Sequence, residues 1–327
     1  PRQGLREIDL DRIEQEEDTI GNVKGVPRKK ITFFPRGSSE PNKTKFAVIA
    51  DHGFSTSRGD TAPWAEEVAK ELGANLFETR VSGHGLEASE ALLVATVNAW
   101  LNDSAEAIQV GRKLSTDGVI VLGTSTGASA LSWILCQEQE DYRRDVVAGA
   151  FISPNYGVNH PDAPKLLWPW AEFLLKVKGK REKAALRGNE IAERLGEDRF
   201  KAYSEVWYTS YPTYSAAPTV VLAEMAREAP PLKVPVWIGY SKMDSVVIRE
   251  ETEAFIDRQE ILGAKIVKKD FGDTEDVDHN HMLVGNILAP NTTQDAVDAV
   301  VRFLGDHEIV KADHGAVEQP ATAGEQD

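Results

Sequence analysis

The strongest constraint on the fold is a set of short apolar runs separated by longer helical stretches. KFAVIA (45–50), GVIVLG (118–123), VVAGAFIS (146–153) and VPVWIGYS (234–241) are each too short for a buried helix. Their lack of polar alternation suits strands covered on both faces. KITFF, NLFETRV (75–81) and AKIVKKDF read as three further strands. Between the strands, apolar residues recur at helical spacing. Helices are predicted from Pro63 to Leu72, over SEALLVATVNAWL (89–101), from Ser104 to Lys113, over GASALSWIL, near Glu251–Ile261 and near Thr293–Leu304. Thr292 followed by Asp295 has the form of a capping box for the last of these. Strands alternating with helices predict an α/β fold with a mostly parallel sheet flanked by helices. In such a sheet, chemistry sits at the carboxyl ends of the strands.

Domain boundaries follow from where the alternation starts, stops and breaks. Residues 1–30 read as an N-terminal arm, 31–154 and 233–305 as the α/β core, and 306–327 as a flexible C-terminal tail. Residues 155–232 interrupt the core with a helical insertion, expected to act as a cap or lid. The insertion holds nine Trp, Tyr and Phe residues between Trp168 and Tyr214. These rings are assigned equally to the insertion's own core and to contact with an apolar substrate.

Four motifs fall at strand ends. Gly123-Thr124-Ser125-Thr126-Gly127 is a G-x-S-x-G pattern between a buried strand and a small-residue helix. A serine nucleophile presented on so tight a turn needs glycines where the backbones crowd. The Thr126 N–H, at the start of the helix, is then placed to stabilise an oxyanion. Asp51-His52-Gly53-Phe54 follows an earlier strand and offers the Phe54 N–H as the second donor. His52 is expected to hold this loop by hydrogen bonds, and it is grouped with Gly53, Trp207 and Tyr211 on the substrate side of the site. Asp244, in Ser241-Lys242-Met243-Asp244, stands where an acid orienting a histidine is needed. The base is sought after Asp244, in DVDHNHMLVG, which contains His279 and His281. With Asp273, Asp276 and Asp278 these histidines also form a candidate metal cluster. No partner ligand motif exists elsewhere, and no metal or organic cofactor is expected.

DHGF, GTSTG, YSKMD and HNHMLVG, in this order and spacing, resemble the α/β-hydrolase family. More narrowly they are similar to bacterial carboxylesterases and monoacylglycerol-lipase-like hydrolases with a helical cap. The likeness covers roughly Ile31 to Leu304, and Gly83-His84-Gly85 adds to it, with His84 structural. In relatives the catalytic histidine precedes a short apolar stretch, which favours His281, before Met282-Leu283-Val284, over His279. The resemblance implies a Ser125–His281–Asp244 triad and an acyl-enzyme. It also implies a small-molecule ester substrate with a short or medium acyl chain, or a monoacylglycerol or lysophospholipid. An acyltransferase, an aminopeptidase and a non-catalytic binding relative are the alternatives. For an aminopeptidase an acidic group such as Glu205 or Glu224 would have to face the site.

The formal net charge of −15 argues against a nucleic-acid partner. Cys136 is the only cysteine, so no disulfide forms within the chain. The sequence starts at Pro1, and membrane contact is expected only through a segment preceding it, which leaves the localisation open between cytoplasmic and exported or anchored.

Overall fold

In a computed structural model of the chain, the described residues are 10, 13, 17, 28–35, 42–177, 181–183, 193, 195–274 and 280–310. Seven strands form the central sheet: β1 (Lys30–Thr32), β2 (Thr44–Asp51), β3 (Asn75–Glu78), β4 (Ser115–Thr124), β5 (Val146–Ile152), β8 (Val236–Tyr240) and β9 (Ile266–Asp270). The insertion contributes β6 (Arg181–Lys183) and β7 (Ser210–Pro212), which pair with each other in a separate antiparallel sheet. The order in the main sheet is β1-β3-β2-β4-β5-β8-β9. Among the described residues, the β1–β3 pairing is the only antiparallel one in this sheet. The mostly parallel sheet expected from the sequence is therefore present, and its central strands β2, β4, β5 and β8 are the near-continuous apolar runs.

Helices cover both faces because each brings one apolar stripe to the sheet. They are α1 (Trp64–Glu71), α2 (Val97–Leu114), α3 (Ser125–Leu135), α4 (Ala171–Val177), α5 (Glu197–Val206), α6 (Ala217–Arg227), α7 (Arg249–Ile261) and α8 (Thr293–Asp306). On one face, Trp64, Val68, Val297, Val300 and Leu304 from α1 and α8 pack on Val48, Ile120 and Leu122. On the other, Trp100, Ile108, Leu131 and Leu222 from α2, α3 and α6 pack on Ile49, Val121 and Phe151. Among the described residues no helix is long and apolar enough to cross a membrane.

Two local expectations are corrected. The helices placed at 89–101 and 104–113 are instead a 3-10 turn, Ser89–Val94, and one 18-residue helix, α2. Thr96 separates them: its side chain accepts the Ala99 N–H at 3.1 Å and starts α2 afresh. Conversely, Thr292 makes no side-chain cap for α8. Its hydroxyl donates to the Leu283 carbonyl at 2.7 Å, a tertiary partner that ties α8 to the loop carrying His281.

At the N-terminus, Leu10 and Ile13 pack on the core, and Glu17 forms a two-pronged ion pair with Arg80 at 2.9 and 3.0 Å. The rest of residues 1–27 lies outside the described residues. So does 311–327, whereas Ile309 and Val310 pack against the core.

Candidate active site

Strand register sets the site. Asp51 of β2 lies beside Gly123 of β4, Thr124 beside Ile152 of β5, and Ile152 beside Gly239 of β8. The loops leaving β2, β4 and β8 therefore emerge side by side. Ser125 begins α3 directly after β4 with φ of 48°, a left-handed conformation that non-glycine residues rarely adopt. The turn is held by the Asn155 N–H, which donates to the Ser125 carbonyl at 3.1 Å, and by the Ser129 hydroxyl, which donates to the same carbonyl at 3.2 Å.

The glycines of the motif are there because backbones touch. A Cβ on Gly127 would lie 2.6 Å from the carbonyl oxygens of both Asp51 and His52. One on Gly123 would meet the Ala128 Cα at 2.7 Å. Gly53 sits against the serine itself, where a Cβ would come within 3.3 Å of the Ser125 Cβ. Phe54, the next residue, lines the same small cavity as Thr126 and Gly127; the Thr126 N–H, in the first turn of α3, has no partner within the helix.

Asp244 is buried just beyond β8. Its Oδ1 accepts the N–H groups of Val246 at 2.8 Å and Val247 at 3.1 Å. Its Oδ2 accepts the Nδ1–H of His281 at 2.8 Å. The Nε2 of His281 is 3.1 Å from the Ser125 Oγ, in position to accept its proton. Met282, Leu283 and Val284 are fully buried and anchor the histidine loop, while the Asn280 side chain, in a residue with φ of 59°, accepts the Thr274 N–H at 2.7 Å. Ser125, His281 and Asp244 thus form one unbroken chain of hydrogen bonds. His279, Asp276 and Asp278 lie outside the described residues. Among the described residues no group of three His, Cys, Asp or Glu side chains is arranged to hold a metal.

His52 is buried behind the Gly53-Phe54 turn. It is 3% exposed. Its Nε2 accepts the Val81 N–H at 3.1 Å, which puts the proton on Nδ1, 2.8 Å from the Gly53 carbonyl. Burial, reinforced by the neighbouring His84, holds its pKa down at about 3, so the ring is neutral. It clamps the Gly53-Phe54 turn to the loop after β3, the loop-holding role expected from the sequence. His84 is likewise held down at about 4 by burial and bonds to the Ser82 carbonyl at 3.1 Å.

The two insertion aromatics singled out in the sequence divide. Tyr211 meets Phe54 edge-on with centroids 5.3 Å apart. Trp207 stacks on Tyr203 at 5.6 Å in a cluster with Met282 and Leu288. Tyr208, not singled out, ties the insertion to the site more firmly. Its N–H donates to the Ser55 carbonyl at 2.9 Å. Its hydroxyl accepts the Leu86 N–H at 2.9 Å and donates to the Leu86 carbonyl at 2.5 Å. Also missed was Asp51, buried at the end of β2 and accepting the Ser104 hydroxyl. Burial pushes its carboxyl up to about 7 against the opposing hydrogen bonds of Ser104 and Thr79. Its only sequence signal is an acid closing an apolar strand directly before His52. A cavity of about 10 Å³, the size of one water, lies between Asp51, Ser104, Trp100, His84 and Phe54.

Solved structures with the same architecture include some described as lipolytic enzymes or lipases. One described as LipS and LipT, two metagenome-derived lipolytic enzymes, matches with a TM-score of 0.63 and 18% identity, over 87% of this chain and 99% of that one. A soluble variant of monoglyceride lipase from Saccharomyces cerevisiae, in complex with a substrate analog, matches at 0.60 and 14% identity, over 86% and 91%. The Paleococcus ferrophilus monoacylglycerol lipase matches at 0.55 and 14%, over 85% and 98%. No curated protein matches the chain. The family model described as Hydrolase_4, serine aminopeptidase S33, matches residues 42–267, and the chain belongs to this family of α/β-hydrolases.

Proposed function

We propose that the chain is a serine hydrolase that cleaves carboxylic esters through an acyl-enzyme. The observation that carries the proposal is the hydrogen-bonded chain from Ser125 through His281 to Asp244, at 3.1 and 2.8 Å. Ser125 attacks the ester carbonyl while His281 Nε2 takes its proton. Asp244 keeps the other ring proton on Nδ1 and stabilises the imidazolium. The N–H groups of Phe54 and Thr126 hold the developing oxyanion, a task in which one donor is worth roughly 3 kcal/mol. His281 then gives its proton to the leaving alkoxide, and water, activated by the same ring, releases the acid. The insertion covers this site as a cap. Tyr208 and Tyr211 support that role, since both rest on the loops beside Ser125.

Short or medium acyl esters, monoacylglycerol among them, are the substrates proposed. The family description would also suit an aminopeptidase, which needs a carboxylate to hold a free amine. Glu205 and Glu224 are both exposed on the insertion, which supports the ester reading. The test is a p-nitrophenyl ester series of increasing chain length, run beside aminoacyl p-nitroanilides on wild type and Ser125→Ala. Hydrolysis of the esters that disappears in Ser125→Ala is expected. Faster turnover of the anilides, or no ester turnover, would overturn the proposal.

A further inference from the structure

Beside the Gly53-Phe54 turn, two buried atoms, Asp51 Oδ1 and His84 Nε2, have no hydrogen-bond partner among the described residues. Asp51 is 3% exposed and His84 1%. The other polar atoms of both side chains are engaged. Asp51 Oδ2 accepts the Ser104 hydroxyl. Thr79, the other hydroxyl bearing on this carboxyl, gives its proton to the Ala50 carbonyl at 3.1 Å. His84 Nδ1 lies 3.1 Å from the Ser82 carbonyl, which can only accept, so Nδ1 carries the ring proton. In the neutral ring Nε2 is then a bare acceptor. Buried polar atoms are nearly always paired, and each exception calls for an explanation.

The small cavity beside the turn supplies one. Asp51 and His84 both line it, together with Phe54, Trp100, Ser104 and Thr126. Its volume of about 10 Å³ admits one water and nothing larger. The chemistry agrees with the size. Two acceptors around one space call for a ligand with two protons to give. An anion has none, whereas water serves both atoms. If the carboxyl holds a proton, the same water accepts from Asp51 and still donates to His84.

We propose that Asp51 and His84 hold one internal water beside the Gly53-Phe54 turn, and that this bridge keeps the Phe54 N–H aimed as an oxyanion donor. The consequence for catalysis rests on the hydrolase reading; the water site does not. The turn is gripped at two points. His52 holds the Gly53 carbonyl at 2.8 Å. His84 meets the Phe54 ring edge-on, with centroids 5.5 Å apart. The water completes the second grip by joining His84 to Asp51, at the end of β2. Breaking the bridge lets the His84 and Phe54 rings settle into the cavity and tilts the Phe54 N–H. Asp51 and His84 are thus positioning residues, which act through Phe54.

Two measurements test this. A high-resolution crystal structure of the wild-type chain is expected to show one ordered water within hydrogen-bond distance of both Asp51 Oδ1 and His84 Nε2. A cavity without ordered density, a water bonded to neither atom, or a direct Asp51–His84 bond would overturn the site. The second measurement compares His84→Asn with His84→Gln. The Asn amide can keep the Ser82 bond while deleting the atom at Nε2. The Gln amide reaches the Nε2 position and can restore the bridge. In His84→Asn, kcat for a p-nitrophenyl ester is expected to fall about tenfold or more with KM little changed. Binding of butylboronic acid, whose adduct with Ser125 carries the tetrahedral anion, should weaken by about the same factor. His84→Gln should recover most of both losses. A folded His84→Asn that matches wild type would overturn the positioning role, as would a loss confined to KM or an equal loss in the two variants. Absence of ester turnover in wild type would count against the hydrolase reading, and the crystallographic water would then decide the site by itself.

Discussion

Replacing Asp244 with Asn changes one atom and should remove nearly all activity, because the local hydrogen bonds dictate how the amide sits. Oδ1 accepts two backbone N–H groups, from Val246 and Val247. An amide turned to place its NH2 there would forfeit both bonds, at about 1 kcal/mol each, and oppose donor to donor. The carbonyl oxygen therefore stays on Val246 and Val247, and the NH2 faces His281 Nδ1. That nitrogen must then act as acceptor, which moves the ring proton to Nε2. The ring would donate toward Ser125 Oγ, where a proton acceptor is required. Loss of the correct tautomer in such a triad costs about 10⁴ in kcat, or roughly 5.5 kcal/mol at 1.36 kcal/mol per tenfold. KM should change little, since Asp244 touches His281 and not the substrate. The assay is steady-state hydrolysis of a p-nitrophenyl ester, with thermal unfolding to show that the variant is folded. A folded Asp244→Asn with kcat within about tenfold of wild type would refute the reasoning.

Three further outcomes follow from the same geometry. Gly127→Ala should destabilise the protein by about 3 kcal/mol, because its Cβ meets two carbonyl oxygens at 2.6 Å and neither backbone can retreat freely; an unchanged denaturation midpoint would contradict the close packing of α3 on the β2 loop. Tyr208→Phe should cost about 1–2 kcal/mol by leaving the Leu86 N–H and carbonyl unpaired, and limited proteolysis should then cut the insertion faster. Asp51 holds its proton up to about pH 7 when folded but releases it near 3.8 when unfolded, so its contribution to stability is lost as pH rises across that window. Asp51→Asn lacks this loss, and its Tm relative to wild type should climb between about pH 4 and about pH 7; a pH-independent difference would remove the buried carboxyl from the account.

The core strands were legible because a parallel sheet covered on both faces forces short, unbroken apolar runs. The motifs beside Ser125, Asp244 and His281 were legible because they fall where those runs end. What the sequence hid was decided by partners far along the chain. The apolar period runs through Ala95 and Thr96 without a visible break, yet the Thr96 side chain starts a new helix. Thr292 has the local form of a cap, but the Leu283 carbonyl takes its hydroxyl. His52 sits beside the serine motif in the way a site residue would, and only the Val81 N–H shows that its ring faces inward. The insertion's aromatics were read as its own core or as a substrate surface. Phe200, Tyr203 and Trp207 pack together there, and Tyr211 lies on Phe54. Trp168, Trp170 and Phe173, at and just before α4, are instead exposed, because which side of a short segment is covered depends on the rest of the fold.

The central claim, that Ser125 is the nucleophile, is tested most directly by labelling the chain with a fluorophosphonate and mapping the modified peptide. A single adduct on Ser125, absent from Ser125→Ala and suppressed in a folded His281→Ala, is the predicted result. Labelling of another serine, or labelling that persists unchanged in Ser125→Ala, would contradict it.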